Sequence, residues 1–259
     1  MLCYKYMPYK RFKESILPGG AFIKVSRPSE FNDPFDCVGV VEGELSNNVA
    51  KEYCNMFCAD VTTKHYGVVA KAHFMASMLY RQFFNEWFRI LSLSDESCIS
   101  PQGEALMWAH YADNAKGVRL TIDFSKYSKR VEPITYADKA PVLNCNNVSA
   151  MNPMKDTVLR QFLDSCLTTK YRCWQYECEH RVIFPVDWKD LKPMTAGDSV
   201  RAIQEQNLVW AMPKEMLCGV AFGPAFPDLS EGQRYVAVLK NNGYENINSI
   251  SGRDGWSYC

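Results

Sequence analysis

Short apolar runs with strand character recur along this chain without regular alternation with helices, and that irregular order limits the fold more than any other feature. Residues 2–6, 21–25, 88–94, 118–124, 134–136, 206–212, 217–222 and 235–239 carry strand patterns. Residues 11–17, 46–60, 67–88, 104–112 and 158–171 carry helical patterns, and Pro18-Gly19-Gly20 closes the first of these. A doubly wound sheet needs strand and helix to take turns. The expected class is therefore α+β, a mixed, mostly antiparallel sheet with flanking helices, in one domain over residues 1–259. Asn-rich residues 138–157 read as a polar surface loop, and the tail after Gly243 is polar.

The chemistry concentrates in Trp174-Gln175-Tyr176-Glu177-Cys178-Glu179-His180-Arg181, just before the apolar run Val182-Ile183-Phe184. Pro185 is expected to end that strand. In a strand, residues i and i+2 share a face. Glu177 and Glu179 then stand side by side, with Tyr176 and Cys178 turned the other way. Two close carboxylates raise the proton affinity of at least one of them unless a cation intervenes, and Arg181 is placed to be that cation. The residue types suit acid/base work or stabilisation of a cationic transition state. They equally suit a solvated strand edge with an ordinary ion pair.

Three other segments offer candidate side chains. Arg27-Pro28-Ser29-Glu30-Phe31-Asn32-Asp33-Pro34-Phe35-Asp36 is a turn-rich loop in which Asn32 and Asp33 fix a bend, with Phe31 and Phe35 as anchors to the core. It reads as a wall of a binding site or as a well-packed turn. Strand 88–94 ends by presenting Ser92 and Ser94 on one face. Helix 104–112 carries Trp108, a core residue, beside His110 and Tyr111, and Lys116-Gly117 supplies a left-handed stop. His73 reads as a satisfied core or boundary histidine.

Lys+Arg and Asp+Glu balance at 29 each, which gives no argument for a nucleic-acid surface. No run approaches the length of a membrane span, and the first residues lack the apolar core of a signal peptide. The expectation is a cytoplasmic protein whose 11 cysteines are mostly reduced thiols. Cys54/Cys58 and Cys173/Cys178/His180 lack the paired spacing of a structural zinc site, so no metal is expected, and Cys54/Cys58 suit the buried face of a helix.

Four blocks stand in a recognisable order: Tyr4-Lys5-Tyr6; Phe31-Asn32-Asp33-Pro34-Phe35-Asp36; Leu93-Ser94 with Leu106-Met107-Trp108-Ala109-His110-Tyr111-Ala112 and Lys116-Gly117; and Trp174 to Arg181. Over residues 4 to about 223 the chain resembles the DUF2971 family of bacterial and phage proteins, which in turn resembles the ADP-ribosyltransferase fold with its split sheet. That resemblance implies NAD as substrate and a macromolecular acceptor, protein or nucleic acid, in a toxin or phage-conflict setting. It implies Glu179 as the catalytic carboxylate beside the ribose, Glu177 as the group that activates the acceptor, and Ser94, with Ser92, as the serine position. Lys5 falls where a His or Arg is usual, and Lys donates as a point charge rather than a fork. Tyr4, Tyr6, Phe31 or Phe35 would sandwich the nicotinamide, Asn32 and Asp33 would bind ribose or amide, and Lys5 or Arg27 would face the pyrophosphate. His110, Tyr111 and Arg181 complete the implied cleft. Simple NAD hydrolysis, or a non-catalytic nucleotide- or protein-binding module on the same fold, are the alternatives.

Overall fold

The computed structural model describes residues 1–17, 20–57, 66–79, 82–125, 127, 131–152, 154–187, 192–193, 200–204, 207–245 and 247–251. The Pro18-Gly19 stop, Cys58 and Gln206 lie outside the described residues. In chain order the elements begin with β1 (Leu2–Met7), α1 (Tyr9–Ser15), β2 (Ile16–Leu17), β3 (Gly20–Val25) and β4 (Val40–Glu42). They continue with α2 (Asn47–Phe57), α3 (Tyr66–Leu79), α4 (Gln82–Trp87), β5 (Phe88–Asp95), α5 (Pro101–Tyr111) and β6 (Val118–Asp123). Next come β7 (Glu132–Pro133), β8 (Thr135–Ala137), β9 (Val142–Asn144), α6 (Thr157–Thr168), β10 (Thr169–Tyr171) and β11 (Glu179–Asp187). The chain closes with β12 (Lys192–Pro193), β13 (Val200–Gln204), β14 (Asn207–Met212), β15 (Leu217–Phe222), α7 (Leu229–Asn241) and β16 (Asn248–Ser251). The class is mixed α+β with a mostly antiparallel sheet and flanking helices. No helix among the described residues is long and apolar enough to cross a membrane.

The chain forms two compact units. One comprises Met1–Ser26, Arg89–Pro133 and the described residues from Gln175 onward; the other comprises Arg27–Phe88 and Ile134–Trp174. In the first, an eight-stranded sheet runs β12-β11-β5-β1-β6-β15-β16, with β7 paired to β11, beside a four-stranded sheet β13-β14-β3-β2. β1 lies near the middle because its two faces are both apolar. Cys3 and Met7 enter the main core with Leu91, Leu93, Leu120, Trp210 and Phe222, while Tyr4 and Tyr6 pack against Met107, Trp108, Ala112 and Ala221. Buried on both faces, such a strand has no solvent edge at which to fray.

α5 starts at Pro101 because Ser100 caps it, its Oγ accepting from the Gly103 N–H at 3.0 Å, with proline at the first helical position. At its far end the left-handed residues are Asp113, Asn114 and Ala115, with φ of 50°, 52° and 65°, so Lys116-Gly117 is not the left-handed stop expected from sequence. Gly117 is required for a different reason. A Cβ there would collide with the Met7 carbonyl oxygen and lie 2.8 Å from Ala112 Cα. Gly117→Ala is therefore expected to cost about 1–3 kcal/mol, read from urea unfolding with an unchanged m-value.

Four other expectations are corrected. Residues 235–239 lie within helix α7, which Asp228 starts by accepting the N–H groups of Ser230 and Glu231 at 2.9 and 3.1 Å; Val236 and Leu239, three apart, share its buried side. Pro185 does not end β11, which runs on to Asp187; it falls between the pairing of His180–Arg181 with β7 and of Val186–Asp187 with β12. Residues 138–157 are not simply a surface loop, since Leu143, Cys145, Val148 and Met151 are buried. Asp156 pins that stretch by accepting from Ser149 and Ala150 as well as from the Leu159 N–H at the head of α6. The tail after Gly243 is not only polar connection, because β16 pairs in parallel with β15.

In the second unit β4 pairs with β9 and β8 with β10, both in parallel. Tyr53 on α2 packs edge-on against Phe74 of α3, and its hydroxyl hydrogen-bonds His73 Nδ1 at 2.8 Å; His73 itself is exposed midway along α3 rather than in the core or at its edge. Cys54 is buried on α2, as its spacing suggested.

Candidate functional site

The segment Trp174 to Arg181 is not one strand. Residues Arg172–Glu177 form a 3-10 helix, Cys178 takes a left-handed φ of 47°, and β11 begins at Glu179. Glu177 and Glu179 therefore do not stand side by side on a strand face. Each projects from a different element, and the corner between them turns at Cys178. The solvated-edge reading also fails, because Glu177 and Glu179 are only 3% and 4% exposed. Burial of a carboxylate is costly unless the protein supplies a partner, and each has one. Arg181, wholly buried, grips Glu179 with Nε to Oε1 at 2.8 Å and Nη2 to Oε2 at 3.2 Å, which uses the i, i+2 relation along β11. Tyr111, at the end of α5, donates its hydroxyl to Glu177 Oε1 at 2.5 Å, within the range of a charge-assisted bond.

Lys5 brings β1 into the same site. The registered pairs of β1 with β5 are Cys3↔Asp95 and Tyr4↔Ser94. At the next residue the Lys5 ammonium donates to the Ser92 carbonyl at 2.8 Å, so a side chain serves that carbonyl. Burial pushes the Lys5 ammonium down to about 8, and the Glu179 and Glu177 carboxylates partly oppose that fall. The first unit thus gathers Lys5, Ser92, Tyr111, Glu177, Glu179 and Arg181. Ser94 is buried opposite Tyr4 in the same ladder. α5 comes close to this corner because Gly103 has no side chain; a Cβ there would lie 2.6 Å from the Tyr176 carbonyl oxygen.

Tyr4 and Tyr6 belong to an adjoining network that sequence reasoning assigned to ring stacking alone. The Arg119 guanidinium lies 3.9 Å from the Tyr4 ring centre, and Arg119 also pairs with Glu104. Tyr4 Oη donates to Glu96 at 2.5 Å, and burial, with that bond, raises the proton affinity of its hydroxyl. The alternation of Val118, Leu120 and Ile122 on β6 carried the signal for this network, since it turns Arg119 to the tyrosine face. Trp108 is a core residue, 2% exposed, while His110 is exposed with its ring 6.2 Å from that of Tyr176.

Arg27, Phe31, Asn32, Asp33 and Phe35 belong to the second unit and form their own arrangement. Phe35 does not anchor its loop, being 65% exposed and in contact with the Tyr171 ring at 5.9 Å. Besides Pro28, the buried residues of that loop are Asp33 and Asp36. Asp33 Oδ1 accepts from the Phe35 N–H at 2.8 Å, and Asp36 faces Lys170 at 3.7 Å, with Lys170 also 5.0 Å from the Trp174 ring centre. Asn32 is exposed, and the Arg27 N–H donates to Glu30 at 3.0 Å.

Cys98 and Cys178 are joined by a disulfide, with Cα atoms 6.0 Å apart, which removes Cys178 from the zinc grouping weighed from sequence. Cys3, Cys37, Cys54, Cys145, Cys166, Cys173 and Cys218 are free thiols. No cluster of metal-binding side chains occurs among the described residues. No family model, curated protein or solved structure matches the chain.

Proposed function

We propose that this chain is an NAD-cleaving enzyme of ADP-ribosyltransferase type that passes ADP-ribose to a macromolecular acceptor. The observation that supports this reading is the meeting of two buried carboxylates, Glu177 and Glu179, with the Lys5 ammonium, itself held by the Ser92 main-chain carbonyl, at one corner of the sheet. Cleavage of the nicotinamide–ribose bond develops positive charge on the ribose, as in glycoside hydrolysis. A carboxylate held ionised by a bidentate arginine suits that charge, so Glu179 takes the stabilising role and Arg181 keeps it oriented. Glu177, bonded to a neutral phenol rather than to a cation in that contact, suits the acceptor side, where a proton must be taken up. Lys5 supplies positive charge for an anionic portion of the substrate. Ser94 and Tyr111 hold the walls.

One observation favours a second reading. Glu177 and Glu179 are both engaged by the protein's own groups, Tyr111 and Arg181, as in a purely structural buried network. On that reading the corner stiffens a non-catalytic nucleotide- or protein-binding module. Incubation with NAD labelled in the adenylate portion separates the two. Release of nicotinamide with label on protein, RNA or DNA is the expected result, and release with no labelled macromolecule indicates NAD hydrolysis. Intact NAD after incubation with a cell extract as acceptor source leaves the structural reading in place.

A further inference from the structure

The two proposed catalytic carboxylates flank Cys178, and Cys178 is covalently tied to Cys98, 80 residues away in sequence. Cys98 lies just beyond the end of β5, and two neighbouring contacts draw the same strand end to the corner. The Asp95 N–H donates to the Cys178 carbonyl at 2.9 Å, and Asp95 lies 3.9 Å from His180. Cys178 holds a left-handed φ of 47°, a conformation unfavourable for a residue with a side chain that persists only where its surroundings enforce it. Cys98 is exposed, so a reductant reaches the bond from solvent.

From this placement we infer that the Cys98–Cys178 disulfide is a redox latch on the Glu177-Cys178-Glu179 corner; its catalytic consequence rests on the NAD-cleaving reading above. Oxidised, the bond holds the left-handed turn, and with it Glu177 against Tyr111 and Glu179 against Arg181. A dithiol reductant opens it in two steps. One thiolate of the reductant attacks Cys98 Sγ, the Cys98–Cys178 bond breaks, and Cys178 leaves as a thiolate that takes up a proton. The second thiol of the reductant then displaces Cys98, which is protonated in turn. Two electrons and two protons pass to the protein, and the reductant becomes a cyclic disulfide. With the tether gone, the corner relaxes toward ordinary backbone angles and the two carboxylates lose their fixed positions.

The test uses the full-length protein before and after treatment with dithiothreitol. Thiol trapping under denaturing, non-reducing conditions should leave Cys98 and Cys178 unmodified and alkylate Cys173; after reduction all three should be alkylated. Amide exchange over residues 175–180 should then become about tenfold faster, with the core strand β6 unchanged. Cys98→Ser, a substitution at an exposed position, should show the fast exchange without reductant, and Cys178→Ser should behave the same way. Alkylation of Cys98 and Cys178 without reductant overturns the inference, as does equal exchange in both redox states. If exchange responds to reduction and neither state releases nicotinamide, the latch stands and the NAD-cleaving reading falls. If both hold, reduction should lower nicotinamide release about tenfold or more, and Cys98→Ser should be insensitive to reductant.

Discussion

Glu179→Ala is expected to lower the unfolding free energy by about 3–5 kcal/mol, because it strands the wholly buried Arg181 guanidinium without its bidentate partner. The midpoint of urea unfolding measures this. The isosteric Glu179→Gln keeps the volume and a hydrogen-bond acceptor, so it should fold better than Glu179→Ala and still release no nicotinamide. Replacing the pair together, Glu179→Leu with Arg181→Met, should recover most of the lost stability, since apolar residues of similar size commonly match a buried ion pair. It should recover none of the activity. A double variant no more stable than Glu179→Ala removes the stranded charge as the cause. Nicotinamide release by Glu179→Gln at the wild-type rate removes Glu179 from the chemistry.

Raising the pH through about 8 should discharge Lys5 and reduce nicotinamide release, whereas Lys5→Arg, which keeps its charge, should hold its activity above that pH. Stability moves in the opposite direction. The folded state holds the Lys5 proton less tightly than the unfolded chain, whose value is 10.5, so between about 8 and 10.5 the unfolded chain binds more protons. The penalty for burying the ammonium is fully present below about 8 and is relieved as pH rises to 10.5, by at most about 3 kcal/mol. Cys3 acts against this. Burial pushes its thiol up to about 12 from 9.0, so its contribution to stability is lost as pH rises from 9.0 toward 12. The quantity to measure is therefore the difference in unfolding free energy between wild type and Lys5→Met, in which the Cys3 effect cancels. That difference should favour the variant most below about pH 8 and move toward wild type as pH rises from about 8 to 10.5. A constant difference over that range would mean that Lys5 is not titrating there.

The strands β1, β5, β6 and β15 and the helices α5 and α6 were legible in the sequence because each carries its own period, apolar residues every second position or every third and fourth. The candidate residues Lys5, Ser92, Glu177, Glu179 and Arg181 were legible as residue types near strand ends, and the structure brings them to one corner of one unit. Arg27, Phe31, Asn32, Asp33 and Phe35 were legible only as a bent loop. Within that loop Asp33 and Asp36 are buried while Phe35 is exposed. Local pattern ranks residues by hydrophobicity, and it has no means of knowing that Lys170 waits to pair with Asp36.

By itself, the sequence determined the α+β class and the position of its carboxylate pair, since both follow from the spacing of residues close in the chain. Tertiary structure alone decided that Glu177 and Glu179 leave different elements, that each has its own partner, and that Cys98 reaches Cys178. Those outcomes depend on groups 66 and 80 positions apart meeting at one point. No repeat of two or 3.6 residues encodes such a meeting, because its energy appears only when the chain is packed.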